Sequence, residues 1–335
     1  MNHNTTDLKP MRIGDVIDYS IEIFKTNFKT LALLSLILYV PWIFISSLIS
    51  SQLLENQLAP FLNLISDFDA FNFEETYDYQ PNFNYLILNY LLMFLDYAYK
   101  LSIKVVFHAA IILVVYDYVV KGTIMPFSFQ NTLNIIKQSF SYILKLAGYT
   151  FLFGLIMFGV MSTLGTVLVF LIGFLSVFII SMTIALPFGL NFIASLVAII
   201  LGVLLLLAGF ILLGFFWVKF IFGFNLIVVE KRSVGDSLKR SFDLSKGYFW
   251  HIGLSSLLSY FLFSLIGGMF VLASLSTMFI NNILYSLLFS FAQVFNAILY
   301  PFIYVFITVL FIDMKVRKEG LDLDVKFNKL ISRDS

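Results

Sequence analysis

Long apolar blocks alternate with short polar and amphipathic stretches along this 335-residue chain. The blocks cover roughly 31–54, 85–120, 142–186, 188–229, 251–276 and 283–312. Each block provides the ~20 apolar residues that a helix needs to cross a bilayer. The four leucines at 204–207 show none of the alternation that a membrane strand requires. We therefore predict an all-α fold, a polytopic transmembrane helical bundle with about six crossings.

The region 142–229 leaves the number of crossings open. As one helix, the block 142–186 would be more than ~60 Å long, about twice the thickness of the hydrocarbon core. We therefore expect kinked, broken or re-entrant helices in this region, with a turn near Pro187, and eight crossings are the alternative. Pro41 and Pro301 lie inside other blocks and predict bends there, because proline lacks a backbone N–H.

A short amphipathic stretch precedes three of the blocks. It reads Ile13-Gly14-Asp15-Val16-Ile17 near the start and Val234-Gly235-Asp236-Ser237-Leu238 late in the chain, with a weaker copy, Phe129-Gln130-Asn131-Thr132-Leu133, between them. The apolar positions that follow each start keep the 3.6-residue period of a helix. The pattern indicates three repeats, each an interfacial helix followed by a transmembrane hairpin. Within a single integral membrane domain, 1–335, the repeats cover approximately 11–120, 127–229 and 233–312, and 313–335 forms a tail.

Each copy carries a residue suited to a helix start. Asp15, Asn131 and Asp236 can accept hydrogen bonds from the unpaired amides of a first helical turn. Ser233 and Asp236 also have the spacing of a capping box, with the serine as the cap. We interpret the three copies as helices that lie in or near the membrane interface. The alternative is that each is only an extension of the helix that follows it.

Charge sets the expected orientation. Only 12 % of the residues are charged and 60 % are hydrophobic. Lys and Arg concentrate in four polar segments, 1–30, 121–145, 230–250 and the tail, whereas 55–84 is acidic and has no Lys or Arg. The positive-inside rule then predicts a multi-pass protein of the cell membrane with both termini cytoplasmic and an extracellular acidic loop. The chain has no Cys, which excludes disulfides and thiol catalysis.

The second block contains the main candidate for intramembrane chemistry. Asp96, Lys100, Lys104 and His108 are spaced four residues apart and form one stripe on a helix. Ionisable groups inside a bilayer are costly and are often functional. A stripe that faces the bundle interior would bind an anionic headgroup or move protons. Alternatively, Asp96 and Lys100 pair at the outer interface, Lys104 extends toward polar surroundings, and His108 is a packing residue.

Three segments resemble a known family. The opening run from Met11 to Phe28, the segment Val229–Trp250 and the ending Asp313–Leu323 resemble the glycerophosphoryl diester phosphodiesterase membrane-domain family. The family-like positions in the two later segments are Glu230, Arg240, Ser241, Arg317, Lys318, Glu319, Gly320 and Asp322. In the enzymes that give the family its name, a soluble catalytic barrel with metal-binding carboxylates and a His-Arg pair follows the membrane domain. The resemblance here implies a stand-alone bacterial membrane domain, so the catalytic activity is not carried over.

These observations lead to two function hypotheses. The first is a non-enzymatic scaffold or accessory subunit that organises membrane lipids, anionic headgroups among them, or a protein partner at the cytoplasmic interface. The second is a small transporter or lipid-handling permease that uses the polar stripe. Neither hypothesis requires a cofactor or a metal, and nothing in the sequence indicates nucleic-acid binding. A membrane-embedded enzyme is the third possibility, but the chain lacks a convincing acid–base or metal set.

Overall fold

The described part of the chain folds into helices alone. The computed structural model describes residues 9–51, 83–122, 127–185, 188–277, 281–321 and 323, and it contains no strand within these ranges. In chain order the helices are α1 (Ile13–Thr26), α2 (Phe28–Leu38), α3 (Val40–Ser51), α4 (Phe83–Leu101), α5 (Ile103–Lys121), α6 (Phe129–Phe140), α7 (Ile143–Ala185), α8 (Phe188–Phe220), α9 (Gly223–Val229), α10 (Val234–Ser245), α11 (Phe249–Leu275), α12 (Asn282–Leu299) and α13 (Pro301–Glu319). Three predicted features lie outside or mostly outside these ranges: the acidic segment 55–84, except for Phe83 and Asn84, the turn at Pro187, and Asp322.

The described helices include five that are long and apolar enough to cross a membrane. They are Leu86–Val120, Ile143–Phe174, Ile199–Val229, Phe249–Leu275 and Ile283–Glu319. A sixth is formed if α2 and α3, which are bent by 53° relative to each other, count as one span. The prediction of an all-α polytopic bundle with about six crossings is confirmed.

Proline positions account for two of the helix breaks. The bend between α2 and α3 falls at Tyr39, two residues before Pro41, and the break between α12 and α13 falls at Tyr300, directly before Pro301. Proline removes one helical hydrogen bond because it has no backbone N–H, although Tyr300 itself keeps right-handed helical backbone. The predicted bend is present near Pro41, while at Pro301 the helix is interrupted within the single span Ile283–Glu319.

The break expected within 142–229 lies between α8 and α9, whereas the helix Ile143–Ala185 is not interrupted. Helix α7 is one continuous helix of 43 residues, about 65 Å long at 1.5 Å per residue. Its five glycines, Gly148, Gly154, Gly159, Gly165 and Gly173, do not interrupt it, because glycine weakens a helix without removing a hydrogen bond. The break comes later, between α8 and α9. The structure therefore offers no support for the eight-crossing alternative.

The same order of elements occurs three times. An amphipathic helix (α1, α6 or α10) is followed by an outgoing helix (α2–α3, α7 or α11) and then by a broken return helix (α4–α5, α8–α9 or α12–α13). The inner segments of the return helices, α5, α9 and α13, pack together at the centre, with α5 touching both of the others. Helix α6 packs on α5, α10 packs on α9, and α1 packs on α13. The last of these contacts closes a ring, since it joins the two ends of the helical chain.

The core lies inside this ring. In α13 the ten residues from Val305 to Met314 are all buried, and in α5 the stretch from Val105 to Ile112 is buried as well. The outer parts of α7 and α8 have the opposite character, because large apolar side chains such as Phe158, Phe170 and Phe210 are at least 70 % exposed. Such a surface is stable only in an apolar solvent. The exposed hairpin therefore fits a lipid environment.

Candidate functional site

Asp15, Asn131 and Asp236 occupy the same position in their helices. Each is the third residue of its amphipathic helix. The Asp15 carboxylate accepts a hydrogen bond from the Arg12 backbone N–H, at 3.0 Å. Ser233 is the N-cap of α10, where its hydroxyl accepts the Asp236 N–H at 3.2 Å and donates to the Asp236 carboxylate at 2.6 Å. The Arg12 and Asp236 N–H groups gain acceptors in this way. The N-caps are Arg12, Ser128 and Ser233, so of the four predicted caps only Ser233 occupies the cap position, and Asp15, Asn131 and Asp236 lie three residues further on.

The amphipathic helices are distinct elements that bury one face in the bundle. Short breaks at Asn27, at 141–142 and at 246–248 separate them from α2, α7 and α11. Their buried positions also correspond, as Val16, Thr132 and Ser237 show directly after the third residue of each helix. They are therefore not simple continuations of the following helices.

The polar stripe divides into three environments. At its outer end, Asp96 and Lys100 form a salt bridge of 2.6 Å, and the Trp42 indole N–H donates to Asp96 at 3.1 Å. Both charged side chains are more than a third exposed. This pair neutralises its own charge, and Trp42 fixes the carboxylate against α3. These contacts anchor α4, and both Asp96 and Lys100 are engaged in them.

Lys104 lies four residues after Lys100, in the first turn of α5. Three helix breaks meet next to it. Its ammonium is 5.7 Å from the ring centroid of Tyr39 and 5.1 Å from that of Tyr300. Tyr39 is the residue between α2 and α3, and Tyr300 is the residue between α12 and α13; their rings stack at 5.0 Å. Tyr99, close to the break between α4 and α5, stacks on Tyr39 at 6.3 Å. Among the described residues, Lys104 has no carboxylate within salt-bridge distance.

His108 is buried at the centre of the ring of helices. Its ring stacks on that of Tyr304 at 3.7 Å, with Phe224 edge-on at 5.5 Å. Neither ring nitrogen has a hydrogen-bond partner among the described residues. On α9 and α13, the helices that carry Phe224 and Tyr304, the Asn225 side-chain N–H donates to the Thr308 hydroxyl at 3.0 Å. The side-chain carbonyl oxygen of Asn225 has no partner in the described part of the chain. Buried polar atoms of this kind are uncommon in folded proteins.

The amphipathic-helix end of the bundle holds a dense ion-pair network around Glu230. One carboxylate oxygen pairs with Arg232 at 2.6 Å and the other with Lys315 at 3.0 Å. Arg240 lies 4.0 Å from Glu230 and also bonds to Glu319, which is 3.7 Å from Lys315. The network joins α10 and the loop before it to the end of α13.

The charges around Glu230 control its ionisation. Burial alone would raise the pKa of the Glu230 carboxyl, but hydrogen bonds and charge from Arg232 and Lys315 outweigh it and lower the pKa below its usual range. The same contact raises the pKa of the Arg232 guanidinium. Both groups are therefore held in their charged forms.

A second ionic centre lies around Asp313, whose side chain is fully buried. Its carboxylate accepts the Met11 backbone N–H at 2.7 Å and pairs with Arg317 at 2.9 Å and with His251 at 3.0 Å. Arg317 in turn donates to the Met11 carbonyl. Asp313 thus ties the residues before α1 and the start of α11 to α13.

The other family-like positions are structural in this arrangement. The Ser241 hydroxyl donates to the Lys219 carbonyl at 2.8 Å and accepts the Phe222 N–H at 3.3 Å, so it bridges the break between α8 and α9. Lys318 donates to the Asp243 carbonyl at 2.6 Å. Gly320 ends α13 with a φ of +67°, a left-handed conformation that glycine adopts without strain.

The three segments that carry the family resemblance meet at one end of the molecule. Met11 belongs to the first segment, Glu230 and Arg240 to the second, and Asp313 and Arg317 to the third. Four side chains of these centres were not selected from the sequence: Arg232, His251, Asp313 and Lys315. Asp313 had a signal, because it is a carboxylate directly after an unbroken apolar run.

A cavity of about 380 Å³ lies beside the tyrosine pair. Its walls come from α3, α11 and α12 together with Tyr39 and Tyr300, and they include Gly267 and Gly268. Gln293 and Asn296 are the amide side chains in its lining. The cavity is therefore mostly apolar, and its polar lining residues are these two amides, Ser264 and the two tyrosines.

The described residues contain no group of three His, Cys, Asp or Glu side chains that could hold a metal ion. Comparison of the chain with protein-family models, curated proteins and solved structures finds no match. The family resemblance consequently rests on the three sequence segments, and it remains a prediction.

Proposed function

We propose that this protein is a non-enzymatic membrane scaffold or accessory subunit that acts at the cytoplasmic interface. The observation that carries the proposal is the closed ring, in which each of α1, α6 and α10 packs on a return helix. The two ionic centres, at Glu230 and Asp313, hold this end of the ring together. Their charges are paired with each other, so they support a rigid platform better than they support acid–base chemistry.

The exposed faces of the platform carry lysines together with the carboxylates Asp15, Asp18, Glu22, Asp236 and Asp243. Lys25, Lys137, Lys239 and Lys246 are exposed on or directly after the three amphipathic helices. The positive-inside rule favours a cytoplasmic position for this end of the bundle. The lysines of this mixed surface are the groups that would attract anionic headgroups and acidic partner proteins.

Co-purification from native membranes tests the scaffold proposal. We expect the full chain, solubilised in a mild detergent, to retain a protein partner in stoichiometric amount. A Lys137→Glu/Lys239→Glu variant should lose that partner, because both charges are reversed on the exposed face. A Lys137→Arg/Lys239→Arg variant keeps the charge and should retain the partner. Recovery of the parent chain without any stoichiometric partner would contradict the proposal.

A lipid-handling permease is the second candidate, and one observation favours it. Breaks in three spans meet at Tyr39, Tyr99 and Tyr300, next to Lys104 and the cavity. Secondary transporters build their binding sites from interrupted helices of this type. In proteoliposomes, the permease would move fluorescent lipid between leaflets faster than empty vesicles do. A Lys104→Leu/His108→Leu variant would then lose the activity, and an unchanged rate would exclude the polar stripe as its pathway.

A further inference from the structure

The cavity beside the tyrosine pair exists because two glycines and a helix bend leave space unfilled by side chains. Gly267 and Gly268 form its wall on α11, and the 53° bend between α2 and α3 lies beside it at Tyr39. A Cβ atom on Gly267 would come within 2.1 Å of the Asn296 side chain, whereas one on Gly268 would meet nothing within 4 Å. Gly267 is thus used for close packing, and Gly268 faces open space.

The surroundings of the cavity are apolar. Its walls come from helices that are long and apolar enough to cross a membrane, and neighbouring side chains on α11, such as Phe261, Met269 and Leu272, are more than half exposed. In a bilayer these faces contact acyl chains. The volume of about 380 Å³ is within the range of cavities that hold small ligands. A lipid chain therefore matches both the location and the lining.

A positive charge lies behind the tyrosines. The Lys104 ammonium is 5.1 Å from the ring centroid of Tyr300, which lines the cavity, and no carboxylate among the described residues pairs with it. The other lysine of the stripe, Lys100, is neutralised by Asp96. A cation without a paired anion in an apolar setting favours an anionic ligand, because the low dielectric strengthens the attraction. Gln293 and Asn296 add hydrogen-bonding capacity to the lining.

We propose that the cavity lined by Tyr39, Gly268, Asn296 and Tyr300 binds one anionic phospholipid, with an acyl chain in the cavity and its phosphate drawn toward Lys104. This site is independent of the scaffold proposal, since it lies among the spans and not on the exposed lysine faces. Lipid binding at this site would make the protein prefer anionic phospholipids over neutral ones.

The first test fills the cavity. The full chain is reconstituted with equal amounts of phosphatidylglycerol and phosphatidylcholine, transferred to detergent, and its retained lipid is counted by native mass spectrometry. We expect one phosphatidylglycerol per chain for the parent and at least a tenfold loss for Gly268→Leu. Gly209→Leu on α8 is the matched control, because a Cβ there also meets nothing within 4 Å, and it should retain the lipid. Equal retention by Gly268→Leu and the parent would overturn the site.

The second test addresses charge. Lys104→Met keeps the length of the side chain and removes the ammonium, so it should bind lipid without preferring phosphatidylglycerol. An unchanged preference, or a parent that retains both lipids equally, would overturn the role of Lys104.

Val271→Phe, which adds volume to the same lining, replaces Gly268→Leu if that variant does not fold, and it has the same expected and contradicting results. Neither outcome depends on a protein partner, so failure here is distinct from failure of the scaffold proposal.

Discussion

Glu230 illustrates how single side chains hold the platform together. Its carboxylate joins Arg232 to Lys315, and the side chains of Glu230 and Lys315 are 14 % and 13 % exposed. Glu230→Gln should lower the free energy of unfolding by about 1–3 kcal/mol, because Lys315 then loses its principal charged partner. Thermal unfolding in detergent at pH 7 measures the change. Asp18→Asn is the control, since Asp18 is exposed on α1 and should change stability little.

The same residue predicts a pH dependence. The pKa of Glu230 is lowered in the folded protein, so the folded state favours its ionised form. Its contribution to stability is complete above the usual pKa of a glutamate and is lost as the pH falls through the lowered folded-state pKa. Scans of the melting temperature from pH 7 downward should therefore fall less steeply for Glu230→Gln than for the parent. Parallel curves would show that Glu230 is not the responsible group.

Gly223 is required because Tyr149 occupies the space beside it. A Cβ atom at Gly223 would lie 1.8 Å from the Tyr149 ring, which is buried and held by a 2.5 Å hydrogen bond from its hydroxyl to the Phe220 carbonyl. Gly223→Ala should destabilise the protein by about 1–3 kcal/mol through overpacking. Gly214→Ala, at a helical glycine with open space, should not destabilise it. Equal melting temperatures for the two variants would refute this packing argument.

At the scale of elements, the sequence was most informative where periodicity and proline chemistry decide the structure. The amphipathic helices start where their pattern predicted, and the breaks at Tyr39 and Tyr300 follow from Pro41 and Pro301. The break between α8 and α9 could not be placed from local sequence, because it depends on distant partners. Tyr149 and Ser241 supply those partners, and only the fold brings them to it.

Ser241 tests that dependence directly. Its hydroxyl satisfies the Lys219 carbonyl and the Phe222 N–H on both sides of the break, so Ser241→Ala should cost about 1–3 kcal/mol. Ser20 is the matched control at the corresponding position of α1, where the hydroxyl donates only to the Val16 carbonyl of its own helix. Ser20→Ala should have the smaller effect on the melting temperature. A larger effect at Ser20 would contradict the bridging role of Ser241.

At the scale of the molecule, the ring explains why the ionisable residues divide as they do. The sequence placed Asp96, Lys100, Lys104 and His108 in one stripe, but the packing partners that separate them come from α3, α9 and α13. Helical spacing gives the face of a residue and not its neighbours. For the same reason, Asp313 and Met11 could not be paired from sequence, since nearly the whole chain separates them.

Asp313 should be the most sensitive charged position in the ring. Asp313→Ala leaves the Met11 N–H, Arg317 and His251 without their shared acceptor in a buried place, and we expect a loss of about 3–5 kcal/mol. Asp243→Ala, at an exposed position on α10, is the control. The two variants can be compared by thermal unfolding of the detergent-solubilised protein. Similar stability of both would show that Asp313 does not hold the two chain ends together.

Closure of the ring by α1 and α13 is the central claim, and cysteine cross-linking measures it most directly. The parent has no Cys, and the rings of Phe24 and Phe302 are 5.8 Å apart at the contact between the two helices. A Phe24→Cys/Phe302→Cys variant in native membranes should form an intrachain cross-link with a mild oxidant or a short bismaleimide. A Phe24→Cys/Phe210→Cys variant should form none. Absence of the first cross-link, or its formation only between separate chains, would contradict the closed ring.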